Sequence, residues 1–172
     1  LFRSTGVDYT AARLPVGPLP LRLRLYFDGA SRSPPGKSRG KGGGGAVLRD
    51  VASGRVVWWG TEHMPDATNN EAEYNGLLLG LRAAVLLRAH HLDVTGDSKL
   101  ILEQIAGSAQ VKSDELRPSY TECRTLLSRI PSSTLKHRFR EANKCADGLA
   151  NLAADGWVLQ RWANGVPLEQ TA

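Results

Sequence analysis

The sequence predicts a mixed α/β domain whose five-stranded sheet has three antiparallel strands followed by two parallel ones, flanked by helices. Three observations carry this. Residues 21–60 hold three apolar segments separated by turn signals. Thr68 opens a long helical pattern. Beyond it, short apolar segments alternate with helical ones, the mark of a mixed sheet.

Residues 1–20 carry Pro15, Pro18 and Pro20 with little periodicity and read as an arm or linker. The domain spans 21–155. Leu21 to Phe27 alternates apolar and polar, then becomes fully apolar, as a strand entering a core does. Ser31 to Lys41 reads as a Pro/Gly/Ser loop with four cations and no acid. Gly42 to Leu48 forms the second strand and Arg55 to Gly60 the third, around a Ser53-Gly54 turn.

Thr68-Asn69-Asn70-Glu71 has the form of a capping box, with Thr68 as N-cap and Glu71 reaching back. The helix runs to about Arg88. Glu73 shares a face with Leu77, Gly80, Ala84 and Leu87. Gly76, Gly80, Ala83 and Ala84 suit close approach to a sheet. Leu92 to Thr95 is the fourth strand, ending at Gly96-Asp97, and Ser98 to Ile105 a helix. Asp114 to Ile130 reads as a helix interrupted by Pro118, Thr134 to Phe139 as the last strand, and Ala142 to Ala154 as the last helix. Residues 156–172 form a tail or extend that helix. Trp58-Trp59 reads as one core and one surface ring, and His90 and His91 as partners of a helix end.

The chain has 172 residues, of which 41% are hydrophobic, enough for a real core. A net charge of +5 points to a polyanionic partner. Cys123 and Cys145 are the only cysteines, too few for a disulfide framework or a zinc site. Both read as structural thiols in a reducing, intracellular setting, cytoplasm or nucleus. No run approaches the ~18 apolar residues of a membrane span, so no membrane partner is expected. The start lacks an initiator Met and an apolar leader. We therefore expect a domain excised from a longer polyprotein, monomeric as a fragment.

Four acids stand in four separate signatures: Asp28 in Phe27-Asp28-Gly29-Ala30-Ser31, Glu73 in Thr68-Asn69-Asn70-x-x-Glu73, Asp97 in Gly96-Asp97-Ser98, and Asp147 in His137-x-x-Arg140-Glu141-x-Asn143-x-x-Ala146-Asp147. Functional groups of open α/β sheets gather at strand ends, so convergence of the four is physically reasonable. Glu71 is explained by the capping box and is left structural. Asp97 has a competing reading as the N-cap of the next helix.

Taken in order, the four signatures resemble those of type 1 ribonuclease H, over roughly Leu21 to Ala154. The spelling from His137 to Asp147 is similar to archaeal, plant and retroelement members, and we expect a retrotransposon-encoded domain, with a reverse transcriptase as a fusion partner. The resemblance implies a ribonuclease H-like fold and cleavage of the RNA strand of RNA–DNA hybrids, leaving 5′-phosphate and 3′-hydroxyl ends. It implies two Mg²⁺ ions, with Mn²⁺ as substitute, held by Asp28, Glu73, Asp97 and Asp147. Asp28 would bridge both. So dense a carboxylate cluster needs cations to offset its self-repulsion, and Mg²⁺ prefers oxygen ligands. By the same resemblance, His137 assists proton movement or product release, Thr68 touches a DNA-strand phosphate, and Asn69 and Asn70 face the minor groove. Asn143 and Lys99 are further substrate-binding expectations, with Lys99 standing where many relatives place a Gln.

The 107–114 segment is too short for the basic protrusion of bacterial members. We therefore expect Arg32, Lys37, Arg39 and Lys41 to contact substrate phosphates. The rival reading is a non-catalytic ribonuclease H-like module that binds nucleic acid or a partner. Such a module is expected to lose a carboxylate, and this chain keeps all four. Proofreading exonucleases want Asp-x-Glu on the first strand, whereas Asp28 is followed by Gly29-Ala30.

Overall fold

The computed structural model of the chain describes residues 20–163. The arm expected over residues 1–20 lies, apart from Pro20, outside the described residues, as does the end of the tail. The elements run β1 (Arg22–Arg32), β2 (Gly40–Asp50), β3 (Val56–Ala67), α1 (Asn69–Leu86), β4 (His91–Gly96), α2 (Lys99–Ala106), α3 (Arg117–Ser128), β5 (Ser132–His137), α4 (Lys144–Ala154) and β6 (Gln160–Trp162). The sheet order is β5-β4-β1-β2-β3-β6. β1, β2 and β3 pair antiparallel, β4 and β5 add in parallel beside β1, and β6 pairs antiparallel with β3.

The sheet therefore has six strands, not five. β6 lies in the stretch read as a tail or helix extension. Three residues are too few to leave a periodic signal. What holds them is tertiary: Trp162 packs at a tilt against the buried Trp58, with 6.0 Å between ring centroids, and Thr61 Oγ1 donates to the Trp157 carbonyl while accepting from Leu159 N. Trp59 is half-buried, so the two adjacent rings divide as core and flank.

Residues 31–41 also differ from expectation. The ladder continues through Ser31↔Gly42 and Arg32↔Lys41, so the segment is the tip of an ordered hairpin. Ser31 Oγ fastens it by donating to the Ala67 carbonyl. α3 begins at Arg117 with Pro118 in its first turn, where the missing N–H has no intrahelical partner to lose. Pro118 opens this helix rather than interrupting one from Asp114. His91 is the first residue of β4, not a helix-end partner. Its Nε2 lies 3.0 Å from Asp93 Oδ1.

Alternation along the strands sorts the faces. Leu23, Leu25 and Phe27 face the main core with α1, α2 and α3. α4 covers the other face, where a Cβ on Gly43 or Gly45 would meet Ala153 or Ala150. Away from α4 that face is braced by polar side chains. Burial alone would push the Asp93 carboxyl up, but hydrogen bonds from Thr134, His91 and Arg24 outweigh it and hold it at about 2. Cys123 is buried in the core, while Cys145 is exposed. Among the described residues, no helix is long and apolar enough to cross a membrane.

Candidate active site and metal centre

Three local structures bring the acids together. Asp28 sits inside β1 opposite Gly45, four residues before the strand ends. Its backbone runs hard against α1: a Cβ on Gly29 would lie 2.1 Å from Ala72 C and Glu73 N, and one on Gly76 only 2.2 Å from the Asp28 carbonyl oxygen. Glycine at both places permits this approach and delivers Glu73 to Asp28. The capping box fixes the helix start, with Glu71 N donating to Thr68 Oγ1 and Thr68 N to Glu71 Oε2. Asp97 follows β4, and Ser98 takes the N-cap of α2, which removes the competing reading of Asp97.

One carboxylate oxygen from each of Asp28, Glu73 and Asp97 lies within 4.8 Å of the others. Asp28 and Glu73 are only 5% and 8% exposed. Burial, with the Asp97 and Asp147 charges adding, pushes the Asp28 carboxyl up to about 7. Burial and the charges of Asp28 and Asp97 push Glu73 up to about 8, against a hydrogen bond from Asn69 and the Arg140 charge. Glu73 Oε2 and Asp97 Oδ1 are buried without a hydrogen-bond partner. An all-oxygen donor set with unsatisfied lone pairs fits a hard divalent cation.

Asp147 lies in the first turn of α4, outside that group of three but close enough to act on Asp28. Arg140 donates to Asp147 Oδ1 at 2.6 Å. Arg140 stands in the His137–Asp147 signature with no role assigned to it, and its partner lies seven residues on, beyond the i, i+3 and i, i+4 pairs that touch within one helix. Arg140 opens the short 3₁₀ turn Arg140–Ala142 that leads into α4, whose first turn carries Asp147.

His137 is exposed at the end of β5, with Nε2 3.0 Å from the Asp97 carbonyl oxygen. Asn69 is exposed and Asn70 half-exposed at the head of α1. Lys99 is exposed at the start of α2, 3.6 Å from Glu103. Asn143 is 1% exposed and turned inward, its Nδ2 donating to the Phe27 carbonyl oxygen at 2.8 Å. It joins α4 to β1 beside Asp28, and no solvent-facing surface remains for the substrate contact expected of it. Of the four hairpin cations, Arg32 pairs with Asp155 and Arg39 with Asp66, Glu71 and Glu115. Lys37 and Lys41 are exposed and form no ion pair among the described residues.

A family model described as reverse transcriptase-like matches residues 27–153. The solved RNase H1 of Halobacterium salinarum superposes with a TM-score of 0.72 at 34% identity, over 79% of this chain and 99% of that one. The chain belongs to the type 1 ribonuclease H family. The N-terminal RNase H domain of Mycobacterium tuberculosis Rv2228c, solved as a fusion with maltose-binding protein, is 36% identical with a TM-score of 0.74, over 78% of this chain and 94% of that one. LC11-RNase H1, solved with an RNA/DNA hybrid, is 28% identical with a TM-score of 0.69, over 77% and 96%. Among curated proteins, the match to Halobacterium Ribonuclease HI covers 65% of its length, and that to the mycobacterial bifunctional protein covers 41%. The span from Phe27 to Ala153 matched by the family model holds all four acids.

Proposed function

We propose that this domain is an endonuclease that cuts the RNA strand of RNA–DNA hybrids, using two divalent metal ions, Mg²⁺ or Mn²⁺, held by Asp28, Glu73, Asp97 and Asp147. The observation that carries it is the Asp28–Glu73–Asp97 group, with Asp28 and Glu73 buried and Asp97 half-buried. Three carboxylates kept this close without cations are a standing electrostatic penalty, which a structural role does not require. Bound divalent ions there would supply an activated water and stabilisation of the departing 3′ oxygen.

The chain's own residues then divide the remaining work. Asn69 and Asn70, at the head of the helix that carries Glu73, offer donors and acceptors to the 2′-OH, by which proteins tell RNA from DNA. Thr68, just before them, would contact a DNA-strand phosphate, and Lys99, exposed at the start of α2, would add a further substrate contact. Lys37 and Lys41, exposed on the hairpin that follows Asp28, would meet phosphates, contacts that position a duplex without reading its sequence. His137, next to Asp97, is exposed and able to move a proton or ease product departure. The reading extends to a role in retrotransposon replication beside a reverse transcriptase, supported by the spelling of the His137–Asp147 segment.

Labelled RNA–DNA hybrid, single-stranded RNA, duplex RNA and duplex DNA, each with Mg²⁺, Mn²⁺, Ca²⁺ or chelator, test this directly. Hybrid RNA is cut with Mg²⁺ or Mn²⁺, and chelator abolishes cutting. Ca²⁺ supports binding with little turnover, because its looser, larger coordination fits Mg²⁺-type geometry poorly. Equal cutting of duplex DNA would sink the hybrid-specific reading.

His137→Ala slows multiple turnover without abolishing it, by no more than the ~10²–10⁴-fold typical of acid–base assistance. The side chain is exposed with one hydrogen bond, so the melting temperature stays near wild type. A melting drop that accounts for the whole loss of rate makes His137 structural.

A further inference from the structure

One guanidinium gathers more carboxylates than any other on the described surface, and it belongs to a residue expected to grip substrate. Arg39 lies just before β2. Its Nε sits 2.9 Å from Asp66 Oδ2, its NH1 2.9 Å from Glu71 Oε2, and its NH2 3.2 Å from Glu71 Oε1. NH2 also donates to the Asp66 carbonyl at 3.3 Å, and NH1 reaches Glu115 Oε2 at 3.4 Å. The hairpin tip, the end of β3, the first turn of α1 and the segment before α3 thus meet on one planar cation.

A lone surface ion pair contributes little. This one differs in two ways: Arg39 engages Glu71 and Asp66 through both edges of the fork, and the Glu71 side chain is only 16% exposed. Glu71 Oε2 also accepts from the Thr68 amide, so the same carboxylate closes the capping box and receives Arg39. Asn69 and Asn70 lie between those two cap residues, and Glu73 lies two residues on.

We propose that Arg39 is a positioning residue, clamping the first turn of α1 so that Asn69, Asn70 and Glu73 face substrate and cation in a fixed orientation. Its guanidinium is occupied by protein carboxylates and takes no substrate phosphate. The hairpin's electrostatic grip then falls to Lys37 and Lys41. The kinetic part of this inference rests on the hybrid-cutting reading above.

Arg39→Ala, Arg39→Lys, Glu71→Gln and the Arg39→Ala/Glu71→Gln double variant separate the possibilities. Three readouts are needed: amide hydrogen exchange over residues 66–73, kcat and KM on hybrid, and the salt dependence of hybrid binding in Ca²⁺. Arg39→Ala speeds exchange in the first turn of α1 and raises KM by about threefold to tenfold, the scale of coupling between neighbouring charged groups. Glu71→Gln keeps an oxygen for the cap but loses the ionic partner, so it reproduces the effect. The double variant adds little further, because both changes break one contact. Arg39→Lys restores only part, lacking the fork. The salt slope of binding stays at the wild-type value throughout. A slope lower by about 0.9 in Arg39→Ala alone identifies a phosphate contact and overturns the clamp. Unchanged exchange in Arg39→Ala also overturns it. If the wild-type domain cuts no hybrid, the function reading falls while hydrogen exchange still decides the clamp.

Discussion

Asp28→Asn lowers turnover to background while raising the stability of the metal-free protein. The two effects share one cause. Asp28 is buried beside Glu73 and Asp97, so its charge is costly in the absence of cations and indispensable in their presence. An amide keeps the shape, removes the charge and weakens any cation site built on it. The expected gain in metal-free stability is about 1 kcal/mol, a rise in Tm of roughly 2–4 °C for a domain of this size. The pH dependence follows in sign. Asp28 and Glu73 bind protons more tightly folded than unfolded, with folded values near 7 and 8 against ordinary values of 3.8 and 4.5. Between about pH 4 and 8 the folded state therefore holds more protons, and metal-free stability falls as pH rises through that window. Asp28→Asn flattens this fall. Because ions compete with protons for the same oxygens, the stabilisation conferred by Mg²⁺ grows over the same window. Thermal melts of both proteins across that range, with and without Mg²⁺, check all three statements. A wild-type melt that rises from pH 4 to 8 in chelator contradicts the electrostatic account.

Gly29→Ala destabilises the domain by about 3 kcal/mol or more, a Tm loss of roughly 6–12 °C, and abolishes turnover beyond what stability explains. The added methyl lands 2.1 Å from two backbone atoms of α1. Backbone cannot rotate aside as a side-chain tip can, so the helix must lift off β1. Glu73 lifts with it, and the oxygen cage opens. Gly148→Ala supplies the contrast. It lies within α4, with nothing within 4 Å of the new Cβ, and replaces a poor helix former by the best one. It is expected to gain up to about 1 kcal/mol. Differential denaturation and hybrid cleavage of the two variants measure the pair. A Gly29→Ala protein that melts near wild type and cuts hybrid removes close helix–strand approach as the basis of the site.

Local chemistry sufficed for the parts written in contiguous residues. The capping box at Thr68 and Glu71 is a three-residue spacing, and it forms as its side chains dictate. The strands bearing Asp28 and leading to Asp97 declare themselves by apolar runs ending in polar signatures. Glu73 on the packed face of α1 follows from helical periodicity, and the structure buries it beside Asp28 and Asp97. The sequence by itself therefore determined the mixed sheet, the long capped helix and the segments that carry the acids.

Only the tertiary structure decided what depends on contacts between distant residues. β6 exists because Trp162 meets Trp58 and an open edge of β3 is there to receive it. Three residues cannot encode that alone. Asn143 turned from a surface contact into a buried tie because the Phe27 carbonyl, 116 positions away, needed a donor. Arg39 turned from a free cation into a hub because folding brought Asp66, Glu71 and Glu115 to one place. A charge in a flexible-looking, glycine-rich segment is ambiguous until its neighbours are known. Coulomb attraction depends on distance in space, and distance along the chain does not report it.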